Sequence, residues 1–276
     1  MDKVLPAAAD AVADIGDGTS IAVGGFGLCG VPFALIDALY ERGSSELSIV
    51  SNNCGTIGRG LGRLLDAGRI VRAMSSYVGE NKELARRYLS GEIELELVPQ
   101  GTLSECLRAG GCGIPAFYTP AGVGTLVAEG GLPWRYGADG DVVVASPPKE
   151  IREFGGREYV LEESVRTDFA LVRASRGDRH GNLVFDKAAR NFNPLCAMAA
   201  RTAIAEVEEL VDFLDPDDVH LPGIFVKRVV ALTPEQLADK PIEKRTVSRS
   251  EAAAASGVVG RGTSPAAERV RRPSDQ

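Results

Sequence analysis

The sequence predicts an α/β protein with an open, mostly parallel sheet covered by helices on both faces and a more strand-rich C-terminal half. Three observations predict it. Short apolar runs alternate with segments of helical period through the first 120 or so residues, the pattern of strands joined by crossover helices. Glycine, proline or asparagine closes most of these segments, so the elements are punctuated. At 276 residues and 44% hydrophobic, the chain can bury the core of one large domain or two small ones.

The elements follow in order. Residues 2–12 read as a helix with Val4, Leu5, Ala8 and Val12 on one face. Residues 19–23 form the first strand. Pro32 suits the first helical position, and 33–41 continue a helix that stops at Gly43. Residues 47–50 are a buried strand running into "SNNCG", followed by a helix over 61–67 and a strand over 70–74. "GENKELARRYLSG" is a helix with a glycine stop, "IELELV" a strand ending at Pro99, "GTLSECLRAGG" a helix and "IPAFYTP" a strand. In the second half, "FGGREYVLEE" reads as a hairpin about Gly-Gly. "DFALVRA" and "NLVF" are strands flanking the polar turn "SRGDRHG". "NPLCAMAAR" is a helix, and "TAIAEVEEL" and "IFVKRVVAL" are strands. Residues 1–247 make the domain. From 248 to 276 large apolar residues are few and no period is sustained, so a disordered tail is expected.

Composition excludes some functions. The net charge of -7 opposes a broad nucleic-acid surface, which needs a basic patch to displace counterions. Five cysteines without a CxxC pair, and no basic-then-apolar leader, point to a cytoplasmic protein with reduced thiols. No apolar run reaches the roughly 18 residues of a membrane span. His180 and His220 sit in polar turns without metal-ligand spacing, so no metal site is expected. Arg86-Arg87 and Arg271-Arg272 read as solvated faces.

The most informative stretch is "DGTSIAVGGFGLCGVP", residues 17–32. Four glycines within seven residues, between a strand and a helix, serve where the backbone turns tightly or something must approach it closely. Gly25-Phe26-Gly27-Leu28-Cys29-Gly30 fits the dinucleotide-binding G-x-G-x-x-G. That fold also wants an acidic residue at the end of the second strand. Here that strand ends in Ser51-Asn52-Asn53, so a dinucleotide is not the expected ligand.

The longer pattern is more specific. Asp17-Gly18, three apolar residues at 21–23, Gly24-Gly25-Phe26, Gly30 and Pro32 resemble the first signature of the class I CoA-transferases. "SIVSNNCG", "SSYVGENKE", "RRYLSGEIELELVPQGTL", "RAGGCGIPAFYTPAGVGTLVAEG", "GREYVLE", "DFALVRA", "GNLVF" and "ARNFNP" continue the resemblance. They are similar, in the family's order, to the α (A-type) subunit of the 3-oxoacid CoA-transferases. The resemblance implies a ping-pong reaction in which a glutamate takes CoA from an acyl-CoA and passes it to a second carboxylic acid. It implies succinyl-CoA and a 3-oxoacid such as acetoacetate, with 3-oxoadipate or acetate–acetoacetate transfer as alternatives within the class. It also implies a heteromeric, heterotetrameric enzyme whose catalytic glutamate lies in a Ser-Glu-Asn-Gly motif on the β (B-type) subunit. That motif is absent here. The nearest match, Gly79-Glu80-Asn81-Lys82, lacks both serine and glycine. Coenzyme A is expected as a substrate, with no tightly bound cofactor. A ligand sensor or sugar-phosphate isomerase of related fold is the reading from another class.

The expected contribution of this chain is a set of neutral donors. Asn52 and Asn53 end the second strand, and Gln100 follows the "IELELV" strand, both at the ligand-binding edge of an α/β sheet. The family places such an Asn-Asn pair and a Pro-Gln-Gly element around the substrate carboxylates. Amides there can stabilise a developing oxyanion without adding a competing nucleophile. Gly24, Gly25, Phe26, Gly27, Leu28, Cys29 and Gly30 are expected to lie against the substrate or the pantetheine arm of CoA. Cys29 and Cys54 flank the site and read as small hydrophobes, not nucleophiles.

Overall fold

A computed structural model describes residues 2–79 and 81–238 of the chain. Its strands are β1 (Ser20–Val23), β2 (Leu47–Ser51), β3 (Ile70–Ser75), β4 (Glu94–Leu97), β5 (Ala116–Thr119), β6 (Pro133–Tyr136) and β7 (Val142–Ala145). Then come β8 (Ile151–Phe154), β9 (Arg157–Glu163), β10 (Thr167–Asp178), β11 (Leu183–Val184), β12 (Ala200–Val211) and β13 (Val226–Ala231). The helices are α1 (Ala8–Ala11), α2 (Phe33–Arg42), α3 (Leu61–Asp66), α4 (Lys82–Leu89), α5 (Gln100–Gly111), α6 (Leu126–Glu129), α7 (Asn193–Ala199) and α8 (Pro234–Ala238).

The main sheet runs β13-β12-β10-β1-β2-β3-β4. Every neighbouring pair on that path is parallel, and β11 adds to β10 in antiparallel sense. On one face, Ile21, Ile49 and Leu95 pack with Leu35 and Leu39 of α2, Leu64 of α3 and Leu84 of α4. On the other, Ala22, Val50 and Val172 pack with Leu103 and Leu107 of α5 and Cys196 of α7. The expected double-sided α/β sheet is therefore the observed one. Fully burying one Leu or Ile contributes about 1.5–3 kcal/mol, so these two layers hold the sheet. Strand order reverses at β1, which lies between β2 and β10. The crevice outside the carboxyl ends of strands at such a switch point is where open α/β sheets bind ligands.

Two expectations are corrected and one hairpin is added. The helix over residues 2–12 shrinks to α1. Pro6 has no N–H, and it disfavours helical backbone at Leu5. The chain there instead lies beside β13, with Leu5 N–H donating to Val229 O at 2.8 Å. The "IPAFYTP" strand, β5, leaves the main sheet and pairs antiparallel with β9 in the small sheet β5-β9-β8. A further hairpin, β6–β7, lies in a stretch to which the sequence pattern assigns no element. The Gly155-Gly156 hairpin stands as expected, joining β8 to β9 with both glycines at positive φ. The tail from residue 248 lies outside the described residues. No helix among the described residues is long and apolar enough to cross a membrane.

Candidate active site

Each strand from β1 to β4 ends in a polar or glycine-rich segment, and these segments meet at one edge. After β1, Phe26 and Cys29 exchange both backbone hydrogen bonds, at 3.0 and 2.9 Å. This is a two-residue hairpin turn with Gly27 first, at φ 60. Glycine at the first central position with an ordinary residue second is the type II′ arrangement. No heavy atom lies within 4 Å of where a Gly27 Cβ would sit, so backbone conformation sets the requirement there and the space beside the turn is open.

The Gly27 N–H donates to Asn53 Oδ1 at 3.1 Å, and this bond orients everything beyond it. A backbone N–H can only donate, so it fixes which amide atom of Asn53 is oxygen. Asn52 then presents its Nδ2 to the same oxygen at 3.2 Å. Its Oδ1 therefore faces away and accepts from Ser76 Oγ at 2.8 Å and Gln100 Nε2 at 2.7 Å. The relay spans β1, β2, β3 and β4. Asn52 is buried and internally satisfied at its oxygen. Asn53 Nδ2 has no acceptor among the described residues, and Gln100 is exposed with its Oε1 and one N–H unspent. The three predicted amides thus come together in unequal roles, with Asn52 joining the two that face outward.

Two structural explanations for these residues fail. Neither asparagine has the positive φ that would mark a left-handed turn position. Gln100 is the first residue of α5 and does not cap it; Pro99 is the N-cap and makes no side-chain cap bond. The start of α5 lies at the same edge, where Gln100 reaches Asn52, and a helix N-terminus favours negative charge.

The glycine loop is held from behind by residues that sequence reasoning missed as participants, although "ARNFNP" contains two of them. Asn193, fully buried, donates from Nδ2 to Gly30 O at 3.0 Å, and its Oδ1 accepts from Arg173 N at 3.0 Å. Asn191 Nδ2 donates to Cys29 O at 3.1 Å. A Cβ on Gly24 would sit 1.9 Å from Asn193 Oδ1, so glycine there makes room for this asparagine and not for a ligand. Gly25 and Gly30 are likewise buried, Leu28 and Cys29 half-buried, and Phe26 is 50% exposed. Asn81 is another missed residue. It caps α4 by accepting from Leu84 N at 3.1 Å and ties it to β2's exit by donating to Cys54 O at 3.1 Å. Glu80 itself lies outside the described residues.

Burial pushes the Cys54 thiol up to about 11, far from a thiolate nucleophile. His180 is exposed, as its turn suggests. His220 is half-buried and structural: its Nδ1 accepts from Phe185 N at 3.0 Å and its ring stacks on Phe185. The pocket directly under the glycine loop is only about 10 Å³, so a substrate would lie over the loop. A far larger cavity, about 540 Å³, is elsewhere, under the segment 147–167 and toward the amino ends of β1 and β10. Ser20, Ser48 and Arg72, in register across β1, β2 and β3, line it together with Glu96 of β4. The strand-end edge, not this cavity, gathers the amides and the open helix terminus.

The sequence model of the family described as coenzyme A transferase matches residues 6–232. The chain belongs to the coenzyme A transferase family. It is 64% identical over 249 residues to a Mycobacterium tuberculosis protein named as the A-type subunit of a probable succinyl-CoA:3-ketoacid coenzyme A transferase, covering 90% of this chain and 99% of that one. It is 50% identical over 243 residues to the human "Succinyl-CoA:3-ketoacid coenzyme A transferase 2, mitochondrial", covering 87% of this chain and 46% of that one. Among solved structures, the acyl-CoA transferase YdiF of Escherichia coli O157:H7 superposes with a TM-score of 0.71 at 25% identity, over 85% of this chain and 48% of that one. A variant of the decarboxylase AibA/AibB superposes with a TM-score of 0.68 at 25% identity, over 93% and 95%. This enzyme family's fold therefore also serves a decarboxylase.

Proposed function

We propose that this chain is the α subunit of a heteromeric succinyl-CoA:3-oxoacid CoA-transferase, completed by a β subunit that supplies the glutamate nucleophile. The observation that carries the reading is the identity to the mycobacterial relative, extending over nearly the whole of that protein. In the reaction, the partner's glutamate attacks the thioester carbonyl of succinyl-CoA and expels the CoA thiolate, leaving a succinyl-glutamyl anhydride. The thiolate attacks the glutamyl carbonyl, releasing succinate and leaving glutamyl-CoA, and the 3-oxoacid carboxylate then runs the same two exchanges in reverse to leave with CoA. Negative charge develops on the thioester oxygen at each exchange. Asn53 Nδ2 and Gln100 Nε2 are the donors for that charge or for the waiting carboxylate, and Asn52 holds them at fixed spacing. Neutral amides suit the role because they stabilise an oxyanion without competing as nucleophiles. Phe26, Ile57 and Tyr77, at the exits of three adjacent strands, are 50%, 62% and 60% exposed. Such an apolar rim around a polar site supports docking of the partner there.

The test is reconstitution. The purified chain, with and without its co-expressed partner, is assayed with succinyl-CoA against acetoacetate, 3-oxoadipate and acetate. Turnover only by the pair, with acetoacetate preferred, is the expected result. Turnover by the chain alone at the rate of the pair would refute the division of labour, and preference for 3-oxoadipate would reassign the substrate.

A further inference from the structure

Glu206 occupies a position that a parallel strand normally gives to an apolar residue. It lies in the middle of β12 and is 0% exposed. Its Oε2 accepts from the backbone N–H of Leu35, in the first turn of α2, at 3.0 Å. Pro32, the N-cap of α2, makes no side-chain cap bond. The helix that directly follows the glycine loop is therefore capped by a carboxylate from a strand 171 residues away in sequence. The positive end of α2, which in a dinucleotide fold would hold a phosphate, is already occupied by this side chain.

The other oxygen of Glu206 faces Arg173 Nη1 at 3.3 Å, and Arg173 Nε and Nη2 reach Glu208 Oε1 at 3.2 and 3.1 Å. Arg173 and Glu206 are opposite each other in the β10–β12 register. Arg173 also donates its backbone N–H to Asn193, which in turn holds Gly30 O. Two routes thus run from Glu206 to the glycine loop, one through α2 and one through Arg173 and Asn193. Within that loop, the Gly27 N–H orients the amide relay.

We propose that Glu206 is a positioning residue for CoA transfer, setting the placement of the glycine loop and hence the orientation of Asn53 and Gln100. The proposal rests on the reading of that relay as the substrate edge. Its ionised form is the one that suits the role, since a carboxylate can accept from both Leu35 N–H and Arg173. Burial pushes the Glu206 carboxyl up to about 7, opposed by Arg173 on β10 and by the backbone N–H groups of α2, with Asp37 on α2 adding to the rise. Protonation turns an acceptor into a donor facing the Arg173 guanidinium and loosens one of the two routes.

The experiment uses the assembled pair as wild type and as Glu206→Gln. kcat and KM are followed from pH 5.5 to 8.5, together with hydrogen exchange of residues 24–36 corrected for intrinsic rate. In the wild type, kcat rises through about pH 7 and the segment gains protection relative to the β10–β12 core, whose exchange follows the falling global stability. The variant is expected to lose about 10- to 100-fold in kcat with KM within about threefold, the scale of an ångström-level misplacement, and to lose the pH dependence of both readouts. Wild-type kcat and wild-type segment protection in the variant, whatever its melting temperature, would overturn the proposal. If the variant fails to assemble, the wild-type pH series decides: protection that stays flat relative to the β10–β12 core through pH 7 overturns it. A failure of the transferase reading would look different, as a wild-type pair without turnover, and segment protection would still be compared between the two proteins.

Discussion

Replacing Gln100 by alanine separates chemistry from structure more cleanly than any other change at the site. Gln100 is exposed at the start of α5 and gives one hydrogen bond, 2.7 Å to Asn52 Oδ1. Truncation buries no orphan, because Asn52 Oδ1 keeps its bond from Ser76 Oγ at 2.8 Å. A net hydrogen bond of this kind is worth about 0.5–1.5 kcal/mol. For a domain of this size that lowers the melting temperature by about 2–4 °C per kcal/mol. Losing one preorganised oxyanion donor costs much more where it counts, about 10²–10³ in kcat or roughly 3–4 kcal/mol. Steady-state transfer from succinyl-CoA to acetoacetate by the assembled pair, with melting curves on the same preparations, reads both numbers. Trapping of the partner's glutamyl-CoA intermediate tells which half-reaction slows. A variant with kcat within about threefold of wild type and normal intermediate formation would refute the reasoning, and Gln100 would be a surface residue of α5.

Other outcomes follow from the same geometry. Asn52→Ala should cost about 1–3 kcal/mol of stability as well as activity, because it removes the side-chain bonds that Ser76 and Gln100 make to it and releases Asn53; denaturant melts of the chain check this, and a neutral result would contradict the relay. Gly24→Ala, which drives a Cβ into Asn193, should destabilise by about 1–3 kcal/mol as overpacking does. Gly27→Ala meets no atom and should cost only the backbone strain of a non-glycine residue at that turn position, about 1–3 kcal/mol, so a loss well beyond that range would show a clash the open space does not contain. Glu206 has a folded pKa raised to about 7 from an ordinary 4.5. Between those values the folded chain keeps a proton that the unfolded chain releases, so its stabilising contribution is complete below about 4.5 and is lost as pH rises through 7. Stability measured by urea titration should fall across that window more steeply in wild type than in Glu206→Gln; parallel slopes would show that Glu206 does not titrate there.

How much of this is legible in the sequence depends on how far apart the partners lie. Buried strands such as β2 and the glycine stop of α2 at Gly43 are local signals, legible within a residue or two. Asn52, Asn53 and Gln100 stand out because strand ends and family motifs mark them without reference to distant chain. Pro6 is a local signal too, outweighed in the reading of residues 2–12 by an apolar period. The placement of β5 is hidden, because its four half-buried residues pair with β9, and nothing in "AFYT" tells an edge strand of a small sheet from a member of the large one. The bonds of Asn193 to Gly30 and of Glu206 to Leu35 join residues 163 and 171 apart. No window of sequence contains both ends of such a contact. The unequal roles of the three amides come only from the Gly27 N–H, whose direction no residue type encodes.

The parallel pairing of β1 with β10 has a consequence for the order in which the chain is made. Ile21 lies beside Phe169 in that pairing, whereas β2, on the other side of β1, follows after one short helix. A nascent chain can therefore close β1 to β4 and their helices while β10 is still unsynthesised, since domains assemble from the N-terminal end during synthesis and long loops close late. The glycine loop would then be present without Asn191, Asn193, Arg173 or Glu206, every one of which emerges in the last third of the described chain. Its turn could form, but nothing would yet hold it against the sheet. Ribosomes stalled at about residue 165 and at about residue 240 should expose this loop differently to a protease.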